Sequence, residues 1–235
     1  MSVCGNLKQL VLFTMNKKAV VLLSGGLDSA TTLFVAKKKG YDCHCLVFDY
    51  GQRHRREIIS AKAVAKLAHC PVEEVKISFP WKGSALTDAH IAVPKNKKPS
   101  RSGIPITYVP ARNIIFLSFA ASFAEAINAK SIFIGANAVD YSGYPDCRPK
   151  FIKSFQAMLG QGIKAGVEGK PIYIDTPLIH LSKAQIIKLA TKLGVPLAQT
   201  WSCYQGGSKP CGVCDSCQLR NKGFEEAKIV DLALR

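Results

Sequence analysis

The sequence predicts an α/β protein with a doubly wound parallel sheet and a C-terminal metal-binding segment. Three observations carry this. Short apolar runs bounded by turn residues alternate with segments of helical period along most of the 235 residues, and such alternation builds a parallel sheet covered by helices on both faces. The first run stops abruptly at Ser24-Gly25-Gly26, and four of the nine cysteines crowd into residues 203–217.

In chain order, the runs KAVVLL (18–23), CHCLVF (43–48), VEEVKI (72–77), SIFI (131–134) and IYI (172–174) predict the strands. Helical periodicity predicts helices over 28–39, 53–68, 113–126, 149–164 and 182–193. Right-handed crossovers should join the strands, with ligands bound beyond their carboxyl ends where the chain order reverses. The stretch 79–112 has five prolines and no period, and so long a loop in a compact domain is usually functional or mobile.

Composition narrows the class. With 48% hydrophobic and 20% charged residues, the chain is an ordinary globular protein with one main core. No run of about 18 apolar residues is present to span a bilayer. Residues 1–14 lack the basic start and small-residue cleavage site of a signal peptide and read as an extension before Met15. The net charge of +16 attracts polyanions by its summed field. Nucleic acid is one candidate, and an anionic small molecule such as ATP is the other. Lysines at 37–39 and 95–101 have no aromatic residues between them, so they lack the stacking platform of a single-strand binder. Clustered cysteines favour metal over disulfides and place the protein in the cytoplasm.

Ser24 to Ser29 follow a strand and open a helix. Two glycines permit a tight turn with amides pointing inward, and the helix adds the positive end of its dipole. Phosphate is the natural guest, with the Ser24 and Ser29 hydroxyls as further donors. The plainer reading is a strand-to-helix turn with Asp28 or Ser29 as N-cap. Neither a Walker loop nor a dinucleotide fingerprint is present.

Cys203, Cys211, Cys214 and Cys217 are separated by seven, two and two residues. Four thiolates close a tetrahedral shell with no open position, the pattern of structural zinc. An iron–sulfur cluster is the rival, because C-x-x-C-x-x-C also occurs in ferredoxin-type runs. Cys43, Cys45 and Cys70 read as small core residues.

The Ser-Gly-Gly-x-Asp-Ser pattern resembles the pyrophosphatase loop (PP-loop) of N-type ATP pyrophosphatases, of adenine-nucleotide alpha-hydrolase-like fold. That resemblance implies that Leu23, Ser24, Gly25, Gly26, Leu27, Asp28, Ser29, Ala30, Thr31, Thr32 and Leu33 wrap the phosphates of ATP. Asp28 would act through Mg2+ or by fixing the loop. "DYGQRHRREI" (49–58), "YVPARN" (108–113), "GANAVDYSGYPDCRPKF" (135–151) and "TPLIHLSKAQI" (176–186) add to it. With the cysteine block, they resemble the QueC family of 7-cyano-7-deazaguanine synthases of queuosine biosynthesis.

The family resemblance implies conversion of 7-carboxy-7-deazaguanine, ammonia and ATP to the nitrile, by a homodimer with one structural Zn2+ per chain and no direct nucleic acid. It implies an extension over 1–17, a PP-loop domain over 18–200 and a zinc-binding segment with a C-terminal helix over 201–235. Ser24, Asp28, Arg112 and Lys183 are the expected catalytic residues. Asp140, Tyr144, Asp146 and Arg148 share one loop after the fourth strand and are assigned to the deazaguanine, which offers N–H donors to a carboxylate and a flat face to an aromatic ring. Gln52 and His54 are placed near the nucleotide, and His54 and His180 are candidate proton shuttles. The alternatives are a PP-loop tRNA-modifying enzyme of thiolase or lysidine-ligase type, and a non-catalytic zinc module.

Overall fold

A computed structural model describes residues 17–95, 103–138 and 143–234. Residues 1–16, most of the expected extension, and Asp140 lie outside the described residues. Five parallel strands, β1 (Lys18–Leu22), β2 (Asp42–Asp49), β3 (Val72–Lys76), β4 (Ser131–Phe133) and β5 (Tyr173–Asp175), form one sheet of order β3-β2-β1-β4-β5. β1 is central, with Val20 opposite His44 on one side and Ile132 on the other. Its Ala19, Val20 and Val21 are wholly buried because both sheet faces are covered.

The helices are α1 (Leu27–Lys38), α2 (Arg56–Leu67), α3 (Arg112–Ala126), α4 (Pro149–Gly162), α5 (Lys164–Val167), α6 (Lys183–Lys192) and α7 (Asp215–Ala227). Val21 and Val47 face a core built with α1, α2, α6 and α7, including Leu33, Val64, Ile187 and Phe224. Val20 and Leu46 face a second core built with α3 and α4, including Leu117, Ile152 and Phe155. The doubly wound prediction holds. The order reverses between β1 and β4, so the crevice at their carboxyl ends is the switch point.

Two predicted helices differ in extent. The one expected over 53–68 begins only at Arg56. Before it, Gly51 has φ +76°, and the Gln52 amide accepts from Tyr50 N at 2.8 Å and donates to Phe48 O at 3.2 Å. Arg53 donates to the carbonyls of Asp88 (2.9 Å) and Ala89 (3.3 Å), which commits it to the loop. The helix expected over 149–164 ends at Gly162, since Ile163 is extended, and α5 follows. By contrast, α6 starts where expected: Ser182 caps it, accepting from Gln185 N while Gln185 reaches back to Ser182 N.

The described parts of 79–112 form a strap over the cysteine segment. Ala85 and Val93 pack with Trp201 and Cys203, and Lys95 bridges to Cys214. Behind that segment the buried Arg220 guanidinium holds Asp231 through Nε–Oδ2 (2.5 Å) and Nη2–Oδ1 (2.9 Å), and donates to Thr200 Oγ1 at 2.9 Å. No helix of the described residues is long and apolar enough to cross a membrane.

Removing one partner of a buried ion pair leaves the other charge uncompensated and costs about 3–5 kcal/mol. Asp231→Ala is expected to lose stability of that order, seen as a lower urea midpoint at unchanged slope.

Candidate active site

A cavity of about 340 Å³ opens at the switch point, walled by the ends of β1, β2 and β4, the first turn of α2, and the segment after residue 200. Its floor is the loop that follows β1. Leu23 N still donates to Leu46 O at 2.9 Å, continuing the ladder one residue beyond the strand. The chain then turns at Gly25, where φ is +84°. A Cβ there would lie 2.2 Å from Glu57 O and 2.6 Å from Ala61 N, so α2 rests directly on glycine backbone. Ser24 Oγ and Ser29 Oγ are 3.0 Å apart, and Ser29 Oγ is 3.1 Å from Gly26 O, closing the loop.

The N-cap of α1 is Gly26, and no side chain caps the helix. Neither Asp28 nor Ser29 is therefore the N-cap. The first-turn amides, which have no partners within a helix, sit where an anion is best bound. Leu23, Ser24, Gly26, Leu27, Asp28 and Ser29 line the cavity. Ala30, Thr31, Thr32 and Leu33 do not, contrary to expectation, because they face the core and are fully buried. Gly25 supports the loop from behind.

Lys183 Nζ lies 2.7 Å from Asp28 Oδ2 and 2.8 Å from Oδ1, joining α6 to α1 across the cavity rim. Gly223 of α7 makes room for this lysine: a Cβ on it would lie 2.4 Å from Lys183 Cγ. Arg112, at the start of α3, donates to Tyr50 Oη at 3.3 Å and lies over the Tyr50 and Phe116 rings. The residue before it, Ala111, has φ +55°, an uncommon conformation for alanine.

The expected base-recognition group divides. Tyr144 lines the cavity, with its Oη 2.9 Å from Thr107 Oγ1 and its ring beside Tyr108. Asp146 does not line it: its Oδ2 accepts from Asn113 N at 3.0 Å, anchoring the first turn of α3, and burial pushes its carboxyl above the usual range. Arg148 is exposed at the N-terminus of α4, away from the cavity. Of the other candidates, Gln52 lines the cavity, whereas His54 packs against Gly206 and Trp201, and His180 is exposed.

Among the cavity residues that escape a reading of the sequence are Glu57, Trp201 and Tyr204. Glu57 lies in the first turn of α2, where an acid is expected simply to complement the dipole. Burial pushes its carboxyl up to about 7, and the Arg112 guanidinium only partly opposes this. Trp201 N donates to Gly25 O at 2.9 Å, which ties the cysteine segment to the loop.

The Sγ atoms of Cys203, Cys211, Cys214 and Cys217 all lie within 4.8 Å of one another. Backbone amides point at two of them: Gln205 N and Cys211 N lie 3.4 and 3.3 Å from Cys203 Sγ, and Cys214 N lies 3.4 Å from Cys211 Sγ. Amide donors stabilise thiolates. The cluster fits one tetrahedral metal ion.

This sheet order, the glycine loop at its switch point and the cavity beyond it define an ATP-using α/β enzyme of the PP-loop class. The model of the family described as "Queuosine biosynthesis protein QueC" matches residues 18–228, and the chain belongs to that family. The 7-cyano-7-deazaguanine synthase of Acetivibrio thermocellus is 59% identical over 215 residues, covering 92% of this chain and 96% of that protein. That of Saccharophagus degradans is 54% identical over 221 residues, covering 92% and 96%. Among solved structures, NMN synthetase from Francisella tularensis is similar at a TM-score of 0.49 with 15% identity, covering 92% of this chain and 88% of that one. The RNA-acting alternative is not favoured by these relatives.

Gly25→Ala combines a strained positive φ, which costs about 1 kcal/mol or more, with a Cβ inside the contact distance of α2. The variant is expected to unfold at lower temperature and to lose Mg-ATP binding, measured by calorimetry and by fluorescent-nucleotide titration.

Proposed function

We propose that this cavity converts 7-carboxy-7-deazaguanine, ammonia and ATP to 7-cyano-7-deazaguanine through an adenylated acid and an amide. The carrying observation is the uncapped N-terminus of α1, placed by Gly25 at the switch point and facing the cavity. A carboxylate is a poor electrophile. Transfer of AMP to its oxygen, with release of pyrophosphate, makes AMP the leaving group, and ammonia then attacks the acyl carbon to give the amide. A second AMP transfer, to the amide oxygen, allows its loss with formation of the nitrile. One loop serves both rounds, because each begins at the α-phosphorus of ATP. Holding the reactants aligned contributes about 7–11 kcal/mol, and fixed donors stabilise the charge that develops at phosphorus.

In this reading Ser24, Ser29 and the α1 amides hold the phosphates. Lys183 supplies positive charge at the rim and is itself held by Asp28. Mg2+ arriving with the nucleotide screens triphosphate charge, and oxygen ligands such as Asp28 suit it. Arg112 is assigned to the substrate carboxylate and Tyr144 to the flat base, a reading supported by their both lining the cavity. Zn2+ is the ion assigned to the four cysteines, with a structural role, because four thiolates leave it no open position. Residues 18–200 then form the nucleotide domain and 201–235 a zinc-bound wall, in a cytoplasmic homodimer that acts on small molecules without binding nucleic acid.

Incubation with the carboxy-deazaguanine, ammonium and Mg-ATP is expected to yield the nitrile and AMP by mass spectrometry. Absence of nitrile from folded protein, or ADP in place of AMP, overturns the reading. Asp28→Ala is expected to lower turnover by about 10²-fold or more, the scale of a lost charge-stabilising contact, while metal content stays the same. The purified protein is expected to be colourless, with one zinc per chain by elemental analysis; the brown colour of an iron–sulfur cluster would refute the zinc assignment.

A further inference from the structure

We infer that Glu57 is the ammonium-binding carboxylate of this cavity and the base that removes protons from the reacting nitrogen. The inference rests on the proposed reaction and names a group that it lacks. Each of its two rounds takes protons from nitrogen. Ammonium has no lone pair to offer until it is deprotonated, and the amide nitrogen must shed both of its protons before a triple bond forms. Neither Lys183 nor Arg112 suits that task, since both are cations. Asp28 is held by Lys183 in a 2.7 Å ion pair.

Glu57 differs from these groups in placement. α2 rests on Gly25, so its first turn stands beside the loop that holds phosphate, and Glu57 lines the same cavity as Ser24, Arg112 and Tyr144. Among the described residues its carboxylate makes no hydrogen bond and no ion pair within 4.0 Å, while Arg112 acts on it through the field alone. An acidic side chain partly withdrawn from water into a cavity, with no direct partner, is costly to ionise. A small cation with N–H donors on every side relieves that cost, and ammonium is one.

In the first round ammonium gives a proton to Glu57 and becomes ammonia. The nitrogen lone pair forms the C–N bond as the C–O bond to phosphate breaks, and AMP leaves with the bonding pair. The nitrogen then releases a second proton to water, leaving the neutral amide. In the second round, after AMP transfer to the amide oxygen, Glu57 again accepts a nitrogen proton. Water accepts the remaining nitrogen proton, and that N–H pair becomes the third C–N bond as AMP departs with the C–O pair. Between rounds Glu57 returns its proton to water.

The groups facing Glu57 are Arg112 from α3, Tyr50 from the end of β2 and Tyr204 from the cysteine segment. Burial pushes the Tyr50 phenol up, so it stays neutral and does not compete as a base at neutral pH. The base form of Glu57 therefore grows as pH rises through about 7, a range in which a base both forms and accepts protons efficiently.

The test separates the half-reactions of Glu57→Gln. Carboxylate-dependent ATP–pyrophosphate exchange is expected to remain within about threefold of wild type, while ammonium-dependent amide formation falls by 10²-fold or more, the usual contribution of a general base. Hydroxylamine, unprotonated at neutral pH, should still give hydroxamate with the variant. The ascending limb of the wild-type pH profile near 7 should vanish, and Glu57→Asp should recover part of the rate. Equal loss of exchange and amidation in folded Glu57→Gln, a raised KM for the carboxy-deazaguanine alone, or amidation within threefold of wild type each overturns the assignment. Failure of the wild type to catalyse exchange sinks the proposed function instead, and this inference with it.

Discussion

The contact of α2 with Gly25 is the constraint on which the rest of this molecule depends. Helix backbone and loop backbone meet with no side chain between them: the position a Cβ would take is 2.2 Å from a helix carbonyl. That approach fixes the loop in its positive-φ turn and aims the start of α1 at the cavity. It also brings the first turn of α2, and with it Glu57, to the loop end of the cavity. From the other side Trp201 N donates to the carbonyl of the same glycine. One residue without a side chain thus joins a strand, two helices and the cysteine segment.

Two other glycines repeat the device. At Gly135, after β4, a Cβ would lie 3.0 Å from Asp28 C and Ser29 N, so the neighbouring strand presses the loop from its second side. Gly223 lets α7 close on the stem of Lys183, directing its ammonium to Asp28. Both charges are partly sheltered from water, where an ion pair interacts more strongly than at an exposed surface. The pair fixes α6 relative to α1 without spending the helix start, whose amides stay free of side-chain caps. The net charge of +16 attracts anions by long-range field, and an uncapped helix start is where an anion is best bound.

Much of this was legible in the sequence because local chemistry decides it. All five strands occur where the runs predicted them, to within two residues at each end; the inner strands β1, β2 and β4 are largely buried and need apolar runs, while the edge strands β3 and β5 are partly exposed. The loop was readable from its glycines, and the gathering of the four cysteines from their spacing. What tertiary contacts decide was not readable. Arg53 has helical surroundings in the sequence, yet its guanidinium is taken by loop carbonyls some 35 residues away. Asp146 resembles a ligand beside Tyr144 but holds the start of α3. Glu57 reads as a helix-dipole acid, and only the missing Cβ of Gly25 turns it into a cavity wall.

The cysteine segment belongs to the site as much as to the scaffold. Trp201, Ser202, Tyr204 and Ser216 line the cavity, interleaved with the cysteines. Its core is small, formed by the cysteines, Trp201 and apolar residues of the strap such as Ala85 and Val93. So little apolar area cannot by itself offset the entropy of ordering irregular chain. A bound ion can, because metal affinity in a site absent from the unfolded chain becomes folding free energy. An ion held by these thiolates would therefore set the position of Tyr204 and Trp201. Through the Trp201 amide, which donates to Gly25 O, it would also brace the loop after β1.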